Sequence, residues 1–177
     1  SIGSALYAYH HIGSRSDRSN IINNYFGPEY SNEEVKRELD KFGLNYDTVE
    51  DSTKDAAQCI ANGEIVGWFQ GGVEFGDRAL GNRSILADPR KAEMKDILNN
   101  KIKFREKFRP FAPSILEEHL DEYFRDARPT PFMEKVYTVK EEKGSAIPAV
   151  IHVDGTGRLQ TVNKINNPLY YSLIKNF

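Results

Sequence analysis

Four glycines, Gly71, Gly72, Gly76 and Gly81, crowd the stretch between the apolar run Ile65-Val-Gly-Trp-Phe69 and the pair Asp88-Pro89. No long helix can cross it, because each glycine lowers helical stability and frees the backbone. The run before it is rich in β-formers and reads as a buried strand. Ser84-Ile-Leu-Ala87, after it, is a second strand candidate. Upstream, Ser31-Asn-Glu-Glu34 spells a capping box ahead of Val35, Leu39 and Phe42, with Gly43 as the stop. A second helix, from Ser52 to Asn62, presents Ala56, Ala57 and Ile60 on one face.

Downstream, Asp88-Pro89 is a favourable helix start, and Met94, Ile97, Leu98 and Ile102 give that helix one apolar face. Phe111 to Leu116 reads as a strand leading into a short helix, Glu117 to Phe124. Three further strands are expected at Met133 to Val139, Ala149 to Val153 and Leu159 to Val162, with the turn Asp154-Gly-Thr-Gly157 between the last two. Asn167-Pro168 opens a final helix, Leu169 to Phe177. This irregular alternation predicts an α/β (α+β) domain, a twisted mixed β-sheet flanked by helices rather than a strict βαβ repeat. Residues 1–30 read as a helix end around Ala5 to Tyr9 followed by a Gly-, Ser- and Asn-rich linker.

The charge is uneven. Asp77 to Arg109 holds ten basic and five acidic residues, a net +5, whereas the rest of the chain carries −7. A positive island on an acidic body points to a confined anionic ligand; a duplex-binding face would spread its charge. The alternative is a solvated helix face. The 39% apolar and 28% charged composition excludes a disordered, collagenous or coiled-coil chain. No apolar run approaches the roughly 18 residues that span a bilayer, and no signal-peptide pattern is seen. The single cysteine, Cys59, excludes an internal disulfide and a cysteine-cluster metal site, so a cytoplasmic setting is expected.

Three stretches can carry chemistry. In the glycine-rich segment, backbone amides can turn inward, Arg78 and Arg83 bring planar forks for oxyanions, Ser84 follows, and the helix start at Asp88-Pro89 would add its positive end. That describes a phosphate cradle, although neither GxxxxGK[ST] nor GxGxxG occurs. The alternative is a hairpin whose arginines pair with surface acids. Next comes Lys101-Ile-Lys103-Phe-Arg105-Glu-Lys107-Phe-Arg109. If extended, it would place its cations on one side and send Phe104 and Phe108 into a core; the alternative is a basic helix reaching Phe108. Third, in Ile151-His-Val-Asp-Gly-Thr-Gly-Arg158, His152 can be an acid, a base, a ligand or a satisfied structural group, and Arg158 can join the anion site across a hairpin. Asp77 and Asp154, with Glu74 and Asp88, are the candidates for Mg²⁺.

The segments GGVEFGDRALGNRSILADPR, LNNKIKFREKFRPFAPSIL and IPAVIHVDGTGRLQTV resemble, in this order, the C-terminal, YrdC-like domain of the NodU/CmcH-type carbamoyltransferases. The resemblance runs from about Gly67 to Phe177. It implies a YrdC-like domain over residues 31–177 that stops before the family's final NTSFN-like segment. Residues 1–30 would be the linker and the end of a preceding actin-like ATPase-fold domain. It further implies that the domain binds ATP and carbamoyl phosphate, with Mg²⁺, and forms carbamoyl-adenylate. A metal-bearing N-terminal domain of the same protein would then pass the carbamoyl group to a hydroxyl acceptor. Lys103 and Arg105 match the KxR motif shared with YrdC-type enzymes, which implies the catalytic role. Arg78, Arg83, Arg109 and Arg158, with Ser84 and His152, are implied substrate and nucleotide contacts. The competing reading is a non-catalytic nucleotide- or RNA-binding module of the same fold, against which the −7 outside the island weighs.

Overall fold

The computed structural model describes residues 2–18 and 21–177. Helix α1 (Ile2–Tyr7) continues into a π-helical turn, Ala8–Ile12, and neither buries a residue. Helix α2 (Asn32–Lys41) begins at the expected capping box: the Ser31 hydroxyl accepts from Glu34 N while the Glu34 carboxylate accepts from Ser31 N. Helix α3 (Ser52–Ala61) is capped by Asp51, which accepts from the amides of Thr53 and Lys54. Strands β1 (Val66–Phe69) and β2 (Arg83–Leu86) pair antiparallel around the glycine-rich loop, with Trp68 opposite Ser84.

A second sheet is mixed, in the order β3-β5-β4. β3 (Ser114–Leu116) runs parallel to β5 (Thr156–Val162), and β4 (Lys135–Thr138) runs antiparallel to it. Short helices α4 (Met94–Leu98), α5 (Leu120–Tyr123) and α6 (Glu141–Gly144) and the final α7 (Pro168–Asn176) surround the sheets. The chain is thus the expected mixed α/β fold.

Three apolar clusters hold it. Ala56 and Ile60 of α3, Trp68, Val162, and Tyr170 and Leu173 of α7 form one; Leu120, Phe124, Val139 and Leu159 form another; Met94, Leu98 and Ala149 form the third. Each large side chain buried in them is worth about 1.5–3 kcal/mol. Gly81 sits where α7 meets the glycine-rich loop. Its φ is +105°, and a Cβ there would lie 2.3 Å from the Tyr170 ring, so only glycine fits. The stretch 24–28, which the sequence assigns to the linker, runs beside that loop: Gly27 N donates to Val73 O, Phe75 N to Asn24 O and the Tyr25 hydroxyl to Leu80 O.

Several sequence expectations are corrected. No helix opens at Asp88-Pro89; Pro89 and Arg90 form a turn and α4 starts at Met94. The Asp88 oxygens accept from Arg90 N, Nε and Nη2, each at 2.8 Å, so the carboxylate closes on its neighbour instead of capping a helix. Ala149 to Val153 is not a strand. Pro148–Val150 is a 3₁₀ turn, because Pro148 has no amide for a ladder and Ala149 is drawn between Met94 and Leu98. The basic segment is neither extended nor a helix to Phe108. It forms a π-helical turn, Asn99–Lys103, and then an irregular loop in which Phe104 and Phe108 are 82% and 78% exposed. Neither phenylalanine enters a core, because the loop is wrapped by hydrogen bonds to Asn99 rather than by apolar packing. Among the described residues, no helix is long and apolar enough to cross a membrane.

Candidate functional site

Alternation along β5 sets one edge of the site. Leu159 and Thr161 point one way; Arg158 and Gln160 share the opposite face. Gln160 Nε2 donates to Leu80 O at 2.8 Å, which ties that face to the glycine-rich loop. Arg158 therefore lies against the loop that carries Asp77 and Arg78. Its Nε is buried with no partner among the described residues. Burial holds the Arg158 guanidinium below its ordinary pKa; the positive charge of Arg78 adds to this, Asp77 opposes it, and Arg105 adds again. Arg78 and Arg105, from two other stretches of chain, thus work against the Arg158 charge. A desolvated, repelled cation favours an anion beside it.

The remaining candidates divide. Arg78 is paired with Asp77 while itself remaining exposed. Arg105 Nε donates to Asn99 Oδ1 at 2.8 Å, and its guanidinium lies over the Phe111 ring at 4.7 Å. Lys103 is exposed and makes no hydrogen bond or ion pair among the described residues. His152 Nδ1 meets Thr156 Oγ1 at 3.0 Å, and the Thr156 hydroxyl also meets Asp154 Oδ1 at 2.7 Å. With the hydroxyl proton given to the carboxylate, the ring donates from Nδ1. Its Nε2 is then an acceptor, and it is buried without a partner.

Other residues are occupied within the fold. Arg83 donates to the carbonyls of Gln70, Gly71 and Asn82, and its guanidinium stacks on Phe69 at 3.5 Å. Ser84 Oγ accepts from Gly81 N at 3.0 Å. Arg109 pairs with Glu106 at 2.9 Å, two residues that both face solvent. The inward-turned amides of the glycine-rich loop are present as the sequence suggests, but Glu74 fills them. Its buried Oε1 accepts from Leu80 N, Asn82 N and Arg83 N at 2.7, 2.9 and 3.2 Å. The cradle is closed by the protein's own carboxylate.

The acidic candidates for Mg²⁺ are similarly engaged: Glu74 by amides, Asp77 by Arg78, Asp88 by Arg90 and Asp154 by Thr156. Among the described residues no three His, Cys, Asp or Glu side chains gather as a metal site. These carboxylates do not fit a protein-built cage for a divalent ion. A cavity of about 480 Å³ is mostly apolar, lined by Leu86, Met94, Leu98, Phe111, Leu173 and Phe177 among others. None of the eight predicted catalytic and binding residues lines it. Asn99 and Glu74, which organise the two halves of the site, carry no sequence signal as organisers: Asn99 lies off the Met94–Leu98 stripe, and Glu74 is one acid among glycines.

Comparison with known proteins identifies the family. The family model described as "Carbamoyltransferase C-terminus" matches residues 57–177. Nodulation protein NolO of Bradyrhizobium diazoefficiens is 46% identical over 99% of this chain, and Nodulation protein NolNO of Sinorhizobium fredii is 45% identical over 99%. Nodulation protein U of Rhizobium fredii is 43% identical over 64% of the chain. The chain spans 33%, 27% and 19% of those relatives' lengths, so each of them is a much longer protein.

Proposed function

This chain belongs to the carbamoyltransferase C-terminus family, and from that premise we propose that it binds ATP and carbamoyl phosphate and forms carbamoyl-adenylate. The observation that carries the proposal is Arg158, whose guanidinium Nε is buried with no partner among the described residues, on the β5 face that is tied to the glycine-rich loop. Such a desolvated cation favours an oxyanion partner.

Water cleaves the P–O bond of carbamoyl phosphate, giving inorganic phosphate and carbamate. A carbamate oxygen then attacks the α-phosphorus of ATP, and pyrophosphate leaves with the electrons of the broken P–O bond. Two anions must be brought together, and charge on phosphate oxygens must be matched throughout. Positioned guanidinium groups supply both. Arg158 and Arg105 would hold the phosphate oxygens, and the exposed ammonium of Lys103 would stabilise the departing pyrophosphate. His152 Nε2, an acceptor, would take the carbamoyl N–H. No protein nucleophile is required. Mg²⁺ would arrive on the nucleotide's own phosphates, where few protein ligands are needed. Passage of the carbamoyl group to a hydroxyl acceptor would belong to another domain of the longer protein.

The test is carbamoyl-phosphate-dependent exchange of labelled pyrophosphate into ATP by the full-length enzyme. Lys103→Ala and Arg105→Ala should each lower it by about 10³-fold, the scale of a lost charge-stabilising group. Wild-type exchange in both variants would refute the assignment.

A further inference from the structure

We infer that Asn99 is a positioning residue for this reaction, fixing the direction in which Arg105 presents its guanidinium. The inference rests on the reading of Arg105 given above. Asn99 is fully buried at the start of the π-helical turn. Its Oδ1 accepts from Arg105 Nε at 2.8 Å, and its Nδ2 donates to Arg109 O at 3.1 Å and, more weakly, to Lys107 O at 3.5 Å. Its own carbonyl accepts from the amides of Phe104 and Arg105. One residue thereby reaches nearly every turn of the loop from 104 to 109.

The side-chain chemistry is specific. Two carbonyls need a donor and a guanidinium needs an acceptor, and a carboxamide offers both on one short planar fork. Aspartate would turn an acceptor toward the carbonyls. Leucine fills the same space with neither group. The loop has no other anchor of comparable kind, since Phe104, Glu106, Lys107, Phe108 and Arg109 are all exposed. Phe104 also sits at φ +47°, in the left-handed region that a bulky residue avoids at a cost of about 1–3 kcal/mol. The bonds to Asn99 offset that strain.

The consequence falls on Arg105. A guanidinium can grip an oxyanion side-on, through Nε and one Nη, or end-on, through both Nη atoms. Asn99 occupies Nε, and the Phe111 ring covers one face of the group. Nη2 reaches Pro110 O only at 3.4 Å. The end-on edge is therefore the one offered to a phosphate.

A double-mutant cycle in the full-length enzyme tests this, using carbamoyl-phosphate-dependent pyrophosphate exchange. Asn99→Leu should lower kcat/KM about 30-fold when Arg105 is present and less than about 2-fold in the Arg105→Ala background, because the two act as one unit. An equal loss in both backgrounds would make Asn99 a structural residue only and overturn the inference. Asn99→Asp keeps the acceptor for Nε and serves if the leucine variant does not fold. It should lose about 5-fold, again only with Arg105 present. If the Arg105→Ala single variant exchanges normally, the reading of the site falls, and this inference with it.

Discussion

Two neighbouring regions of this molecule are rich in hydrogen-bond donors, and they differ in what satisfies them. In the glycine-rich loop, Glu74 accepts three backbone amides and Arg83 grips three carbonyls. Outside it, Arg158 Nε and His152 Nε2 are buried without partners among the described residues, and the charges of Arg78 and Arg105 work against that of Arg158. By sequence pattern both regions suggest oxyanion binding. The difference teaches that cation density alone does not mark a site, since cations of one charged island can be spent on the fold itself.

Replacing the two arginines separates the regions most sharply. Arg158→Met should cut pyrophosphate exchange by about 10³-fold while leaving unfolding stability unchanged or raised by about 1 kcal/mol, since it removes a desolvated, repelled charge. Arg83→Met should do the opposite, keeping exchange within about 3-fold and lowering stability by about 2 kcal/mol as buried carbonyls lose their donor. Urea denaturation and exchange assays on both variants decide it, and matched behaviour would erase the contrast.

Glu74→Ala comes next in size. It orphans three amides at once and should cost about 3 kcal/mol of stability. Added inorganic phosphate should recover part of that loss in the variant and none in the wild type, because the emptied amides form an anion nest. A variant as stable as the wild type would mean that the cradle is not held by its own carboxylate.

The smallest effect concerns Asp88, whose side chain is 1% exposed. Burial works against its charge, but the bonds from the Arg90 side chain and amide outweigh it and hold its pKa below the ordinary 3.8. A carboxylate depressed in the folded state adds stability that is complete above its unfolded pKa and drains away as pH falls through the lower folded value. The stability difference between wild type and Asp88→Asn should therefore shrink as pH falls from 5 to 2. A difference independent of pH would show that Arg90 does not favour the ionised form.

Much of the fold was legible beforehand where the signal is local. The Ser31–Glu34 box, the Gly43 stop, the strand before Gly71 and the Asn167-Pro168 start all depend on residues within one turn of each other, and each appears where the pattern places it. The expectations that failed were those in which a local preference meets a competing partner. Asp88 prefers a cap in isolation but has Arg90 beside it. Ala149 to Val153 has strand-like residues but is consumed as a plug against Met94 and Leu98. Lys101 to Arg109 has the alternation of a strand, yet Asn99 curls it.

The chain by itself determined its family and its mixed α/β character, and it supplied the candidate anion-binding residues, because these are carried by motifs and by periodicity along the backbone. Which of those residues stand together was decided only in three dimensions. Arg158 and the glycine-rich loop lie in stretches joined by no local rule, and they are brought together because β5 alternates its side chains and Gln160 pins its face to that loop. Whether a donor is spent on the protein or left for a ligand depends on what lies within about 3 Å of it, and that distance is a property of packing.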